Sequence, residues 1–107
     1  MKIHLILIPL IASSAFVHAA DKNTGGGADI FNQMCVGCHG SDGKSQTDIG
    51  KQVHAADLTS ASVQKLPDSS LSRVIENGKE KMPHFSEALS SAEIKSVVAY
   101  VRQLAKK

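Results

Sequence analysis

Two cysteines and a histidine lie close together in the run Cys35-Val36-Gly37-Cys38-His39. Two thiols three positions apart, followed at once by an imidazole, form the attachment site of a c-type haem. On one helical turn, each sulfur can reach a different vinyl group of the same porphyrin and form a thioether bond. The imidazole can then bind the iron. Cys35 and Cys38 are therefore candidate covalent attachment residues, and His39 is the candidate proximal iron ligand.

Other kinds of site also use two cysteines at this spacing. A thioredoxin-type dithiol normally follows a strand in a βαβ unit, whereas the pattern before Cys35 is helical and, further upstream, polar and glycine-rich. A structural zinc site needs four ligands, usually as two separated pairs, and only His54 and His84 remain, at an irregular spacing. A disulfide scaffold would need more than the two cysteines of this chain. The surrounding sequence therefore favours haem attachment.

A second iron ligand is expected in the polar segment 79–85, which contains Met82. A thioether in such a loop has little reason to serve packing, but as a soft ligand it would complete the iron coordination and raise the reduction potential. Met82 is the favoured distal ligand, and His84 and His54 are the alternatives. Met34 precedes the attachment motif on the same helix, so it is expected to pack in the core.

The first 19 residues are typical of a secretory signal peptide. Lys2 gives a positive start, an apolar run follows, and the small residues around His18 fit cleavage after Ala19, with cleavage after Ala20 as the second choice. Because Pro9 and two serines interrupt the run, it is too short for a permanent membrane span. We expect export to the periplasm, where covalent haem attachment belongs.

Residues 20–27 contain three consecutive glycines and are expected to form a flexible leader before a domain over 28–107. Apolar residues then recur at three- and four-residue spacing from Ala28 to Cys35. This pattern predicts a helix that leads directly into the haem motif. Residues 40–50 show no periodicity and are predicted to form a loop.

The middle of the chain gives weaker signals. Within residues 51–66 a short helix is indicated, with Thr59 or Ser60 as its cap. Asp68 is a plausible N-cap for the next helix, and the pair Asn77-Gly78 is expected to end it.

The last helix has the clearest local signals. Ser90 and Glu93 form a predicted capping box, and Leu89 and Ile94 occupy the positions of a hydrophobic staple. An apolar face then continues along the helix through Ile94, Val97, Val98, Val101 and Leu104. No hairpin signal appears along the chain, so a β fold is not expected.

Composition limits the size of the core and the kind of partner. The expected mature chain, residues 20–107, has only three aromatic side chains. A domain with so small a core is marginally stable without a cross-link, metal or cofactor. A bound haem would supply the missing apolar core. Loss of Lys2 with the signal leaves 11 basic and 10 acidic residues, a formal charge of +1. This balance does not indicate nucleic acid or an anionic membrane surface as a partner.

The attachment motif, the 82–85 ligand loop and the two terminal helices together resemble a class I cytochrome c of the small, soluble bacterial kind. The resemblance covers residues 28–104. It implies an all-α fold, with three to five helices around one covalently bound haem c. It also implies that the first and last helices cross, with Phe31 against Tyr100.

The resemblance implies a ligand set as well: thioether bonds from Cys35 and Cys38, and axial ligation by His39 and Met82. One departure concerns the proximal histidine. Family members often have a proline some way after the motif, in the region that accepts a hydrogen bond from this histidine, but no proline lies between His39 and Pro67. The accepting carbonyl is therefore expected in the segment 50–57.

The predicted function is one-electron transfer between larger redox proteins, by a monomer that is not an enzyme. Two protein ligands on the iron leave no open position for a substrate. The alternatives are a ligand-binding or peroxidatic haem protein with a displaceable distal ligand, and an obligate subunit of one oxidoreductase. A positive docking surface is a further hypothesis, formed by Lys44, Lys79 and Lys81.

Overall fold

The computed structural model of the protein describes residues 26–107 together with Lys2, Ile6 and Pro9. Apart from these three residues, the predicted signal peptide lies outside the described residues. So do its cleavage after Ala19 and residues 20–25 of the predicted leader. Residues 26–107 are helical, with no strand, which confirms the predicted all-α class.

Six helices follow one another in this part of the chain: α1 (Gly26–Met34), α2 (Val36–His39), α3 (Asp48–Val53), α4 (Ala61–Gln64), α5 (Asp68–Asn77) and α6 (Ser91–Leu104). The number exceeds the predicted three to five because α2 and α4 are single turns of four residues each. The longer helices α1, α5 and α6 form the frame around the site.

The first and last helices pack against each other, as the family resemblance implied. The rings of Phe31 and Tyr100 lie 5.2 Å apart between centroids, at an interplanar angle of 58°. This tilted arrangement is one that aromatic pairs prefer. Buried core side chains belong to α1, α6 and the residue before the capping box of α6: Phe31, Leu89, Ile94, Val97, Val98, Val101 and Leu104.

The start of α1 differs from the prediction. The helix begins at Gly26, so Gly26 and Gly27 are buried helical residues and not the end of a flexible leader. A Cβ atom on Gly27 would lie 2.1 Å from the carbonyl oxygen of Ser96 in α6. Gly27 therefore lets the two helix backbones approach closely, a role that glycine-rich composition alone does not reveal.

The predicted capping box at the start of α6 is confirmed. The Ser90 hydroxyl accepts from the Glu93 amide at 3.1 Å, and the Glu93 carboxylate accepts from the Ser90 amide at 3.0 Å. Leu89 and Ile94, the predicted staple pair, are both buried. The start of this helix is thus fixed by local chemistry.

The caps of the other helices follow the sequence in part. Ser60 caps α4, one of the two predicted choices, and α5 ends before Gly78 as expected. The predicted N-cap role of Asp68 is wrong, because Pro67 occupies that position and Asp68 is the first residue of α5. The Asp68 carboxylate instead accepts from Nε and Nη2 of Arg102, at 3.0 and 2.8 Å.

Helix α3 begins within residues 40–50, the segment predicted as a loop, and ends at Val53. Thr47 caps it by accepting from the Gly50 amide at 2.9 Å. The same hydroxyl donates to the carbonyl oxygens of Gly37 and Cys38, at 2.8 and 3.0 Å. A Cβ on Gly50 would lie 2.2 Å from the Cys38 oxygen, so α3 packs directly on the attachment turn.

Candidate haem site

A mostly apolar crevice of about 380 Å³ lies between the attachment turn, α5, α6 and the loop after α5. This volume is within the range of about 300–1,000 Å³ that is typical of pockets for cofactors and small ligands. The crevice brings together the four predicted site residues, and its lining includes Cys35, Cys38, His39 and Met82. The residues present therefore fit an apolar cofactor with a metal centre.

Both cysteines are half-buried at the junction of α1 and α2. The Cys35 amide donates to the Phe31 carbonyl at 2.9 Å, so the attachment motif continues the winding of α1. Burial raises the pKa of the Cys35 thiol to about 11, and the neighbouring Cys38 sulfur adds to the rise. Both sulfurs line the crevice, where a porphyrin edge would reach them.

The imidazole of His39 is oriented by a backbone carbonyl. Its Nδ1 lies 3.1 Å from the carbonyl oxygen of Ala56, which falls within the predicted segment 50–57. Because a carbonyl only accepts, Nδ1 carries the proton and Nε2 keeps its lone pair for a metal. Burial lowers the pKa of His39, and the bond to Ala56 opposes this shift. The side chain is thus held in the tautomer that an iron ligand needs.

Ser45 is a site residue that the sequence did not indicate. Its side chain is buried, and its backbone has a φ of 58°, which is rare for a residue with a Cβ. The hydroxyl donates to the same Ala56 oxygen and lies 3.0 Å from His39 Nδ1. Nothing in the local pattern 40–50 marks this serine, because the carbonyl to which it donates lies 11 residues downstream.

Met82 is held by a tight turn after α5. Its amide donates to the Lys79 carbonyl at 2.9 Å and its carbonyl accepts from the Lys79 amide at 3.1 Å. Glu80 adopts a φ of 52° inside this turn. The Phe85 amide then donates to the Ile75 carbonyl at 2.9 Å, so the loop is fastened to the end of α5. Backbone hydrogen bonds, in addition to Pro83, therefore fix the main chain of Met82 at the crevice.

The alternative ligands are separated by the structure. His84 is exposed and does not line the crevice, whereas His54, also exposed, is one of its lining residues. His54 lies two residues before Ala56, on the segment that holds His39. Met34 is 41% exposed and also lines the crevice, so its predicted place in the core is wrong.

The three lysines of the predicted docking surface do not all line the crevice. Lys79 and Lys81 are exposed and line the crevice, with Glu80 between them. Lys44 is not among the lining residues. It acts instead on Asp57, whose pKa is lowered mainly by hydrogen bonds from Thr59 and less by the Lys44 charge.

The part of the chain that the structure describes contains no cluster of three or more His, Cys, Asp or Glu side chains placed to hold a metal ion. No helix within the same residues has the length and apolar character needed to cross a membrane.

Comparison with known families gives a match over most of the chain. The family described as cytochrome c oxidase, cbb3-type, subunit III matches residues 22–101. A cytochrome c6-like protein of Nostoc sp. is 30% identical over 107 residues, which cover 100% of this chain and 94% of that protein. A cytochrome c6 of Bryopsis maxima is 35% identical over 75 residues, covering 70% of this chain and 84% of the relative.

Two further similarities concern a larger protein and a solved structure. The cbb3-type cytochrome c oxidase subunit CcoP of Azospirillum brasilense is 30% identical over 92% of this chain, but the match spans only 32% of that subunit. The solved structure of the KustC0563 c-type cytochrome superposes with a TM-score of 0.68 at 35% identity. The superposition covers 73% of this chain and 95% of that structure.

Proposed function

Because this chain belongs to the c-type cytochromes, as a small monohaem cytochrome c of class I that binds haem c covalently, we propose that it carries single electrons between larger redox proteins. One observation carries this proposal: His39 and Met82, from separate segments of the chain, line the same apolar crevice as the two cysteines. Haem c, when bound there, supplies one-electron exchange between ferrous and ferric iron.

In this proposal Cys35 and Cys38 form the two thioether bonds. His39 offers its Nε2 lone pair to the iron while Nδ1 keeps its proton on the Ala56 carbonyl. Met82 would offer its thioether sulfur as the second iron ligand. With His39 and Met82 both as ligands, the iron would keep no open position for oxygen or a substrate, so the proposed role is that of a carrier and not of an enzyme.

Met82 is preferred to His54 for a structural reason. The segment that contains His54 is fastened behind His39, through the bond from Nδ1 to the Ala56 carbonyl. Met82 comes from the loop after α5, on a segment that makes no such bond to the proximal histidine. A thioether also favours ferrous iron more than a second imidazole does, which suits a carrier of higher potential.

The remaining parts of the proposal concern location and assembly. Residues 1–19 act as a signal peptide with cleavage after Ala19, the cytochrome domain begins with α1 at Gly26, and the mature protein works as a monomer in the periplasm. Its contacts with donor and acceptor are small and transient, as is usual for redox encounters.

A second candidate function is that of a dedicated subunit of one oxidoreductase. The family match to a cbb3-type oxidase subunit and the similarity to part of CcoP favour it. Affinity purification of the tagged chain from membranes separates the two candidates. Recovery with a stoichiometric oxidase supports the subunit, and recovery as a free monohaem protein supports the carrier.

The ligand assignment and the closed iron site can be tested together with Met82→Ala in the holoprotein. We expect the haem to stay attached, the ferric iron to become high-spin or water-ligated, the reduction potential to fall, and ferrous iron to bind carbon monoxide rapidly. The parent should be low-spin in both oxidation states and bind carbon monoxide slowly or not at all. Visible spectra with and without carbon monoxide, and a redox titration, measure these changes.

His84→Ala is the matched control, because this residue lies two positions away and outside the crevice. It should retain the parent spectrum and potential. If Met82→Ala also retains both, the distal ligand is elsewhere, and His54→Ala becomes the variant to measure. A parent that binds carbon monoxide rapidly would instead favour a ligand-binding or peroxidatic protein.

A further inference from the structure

Ser45 combines two features that are individually uncommon. Its side chain is 7% exposed, and its backbone lies in the left-handed region with a φ of 58°. A side chain at such a φ is unfavourable relative to glycine, and a buried hydroxyl needs a partner. Strained residues that persist in a fold are concentrated at functional sites, so the interaction made by this hydroxyl is of interest.

The hydroxyl of Ser45 joins the hydrogen bond that orients His39. Its Oγ donates to the carbonyl oxygen of Ala56 and lies 3.0 Å from His39 Nδ1, while Nδ1 lies 3.1 Å from the same oxygen. The Ser45 amide also donates to the His39 carbonyl at 2.8 Å. Serine and histidine are therefore connected through both backbone and side chain, with one acceptor between them.

Two donors on one carbonyl oxygen compete for its electron density. A hydrogen bond from the Ser45 hydroxyl withdraws charge from that oxygen, so the oxygen attracts the Nδ1 proton of His39 less strongly. A weaker attraction leaves the imidazole less anionic in character. A less anionic ligand stabilises ferric iron less, which favours the ferrous state.

We propose that Ser45 is a positioning residue that shares the Ala56 carbonyl with His39 and thereby holds the reduction potential above the value that the carbonyl alone would set. The inference rests on the proposed role of His39 as an iron ligand. It concerns a hydroxyl on this chain whose removal leaves both axial ligands in place.

The test compares Ser45→Gly and Ser45→Ala with the parent holoprotein. Both variants lack the hydroxyl, but glycine also relieves the left-handed backbone, whereas alanine keeps it strained. We expect both to lower the reduction potential by the same amount. In the diamagnetic ferrous state, the NMR signal of the His39 Nδ1 proton should move downfield in both, because its bond to Ala56 becomes stronger.

Ser41→Gly is the control, since it removes an exposed hydroxyl from the same loop. It should leave both the potential and the Nδ1 signal at the parent values. If the parent is low-spin but both Ser45 variants keep or raise the reduction potential, this inference is wrong and the proposed ligation stands. The inference is also wrong if the two Ser45 variants differ from each other in reduction potential, because the backbone and not the hydroxyl would then set the potential. A parent without low-spin haem would overturn the proposed ligation, and this inference with it.

Discussion

Replacement of Gly27 by alanine should destabilise the protein through the crossing of α1 and α6. The added Cβ would lie 2.1 Å from the Ser96 carbonyl oxygen and 2.7 Å from its carbon, whereas ordinary contacts begin at 3.4 Å. The opposing atoms are backbone and cannot rotate away. The helices must therefore separate by about 1.3 Å, which also loosens the ring contact between Phe31 and Tyr100.

Two effects of opposite sign determine the size of the change. Overpacking of a well-packed contact costs about 1–3 kcal/mol and occasionally more. The gain in helix propensity from glycine to alanine is at most about 1 kcal/mol and is smaller in the first turn. Because the opposing atoms are backbone, the overpacking cost should fall near the upper end of its range, so we expect a net loss of about 2 kcal/mol in the free energy of unfolding. For a domain of this size, that loss lowers Tm by roughly 8–16 °C.

Thermal unfolding of the holoprotein, followed by far-UV circular dichroism, measures this loss. Gly26→Ala is the matched control, because it makes the same change one residue earlier and its Cβ would meet no atom within 4 Å. It should keep the parent Tm or raise it slightly. Equal Tm values for the two variants would refute the reasoning, since the clash with α6 would then have no energetic consequence.

Two further predictions concern a half-buried arginine and the lysines that line the crevice. Arg102 donates to the backbone carbonyls of Gln64 and Leu66 as well as to a carboxylate that is 74% exposed. Arg102→Met should therefore lower the free energy of unfolding, measured with urea, by about 2 kcal/mol. Asp68→Asn should lower it by under about 1 kcal/mol. Equal losses would assign the stability to the exposed ion pair. The double change of Lys79 and Lys81 to Gln should slow electron transfer to an acidic partner at low salt without altering the potential, and the difference should shrink as salt rises. Lys44→Gln, outside the crevice, is its control, and equal stopped-flow rates for all three proteins would leave these lysines without a docking role.

Sequence reasoning succeeded where the controlling interactions are local. The capping box of Ser90 and Glu93 spans three residues, so its pattern is visible in the chain itself. The attachment motif is equally local, because one turn of helix positions both thiols. The cap at Ser60 and the end of α5 before Gly78 also depend only on neighbouring residues.

Some long-range features were reached through the family resemblance. The contact of Phe31 with Tyr100 was implied by the family and is present. The carbonyl that orients His39 was expected within residues 50–57, and the structure assigns it to Ala56. The pattern could limit the acceptor to a segment, but the choice of one oxygen depends on how α3 packs on the attachment turn.

The sequence by itself determined the helical class, the attachment residues and the candidate loop for the second ligand, because each depends on residue types within a few positions of one another. Only the tertiary structure decided which residues meet across the chain. Gly27 lies against the backbone of α6, and Asp68 pairs with Arg102 and does not cap α5. Ser45 shares the Ala56 carbonyl with His39. The physical reason is that each of these roles depends on a partner many residues away, whose position is fixed only when the helices pack.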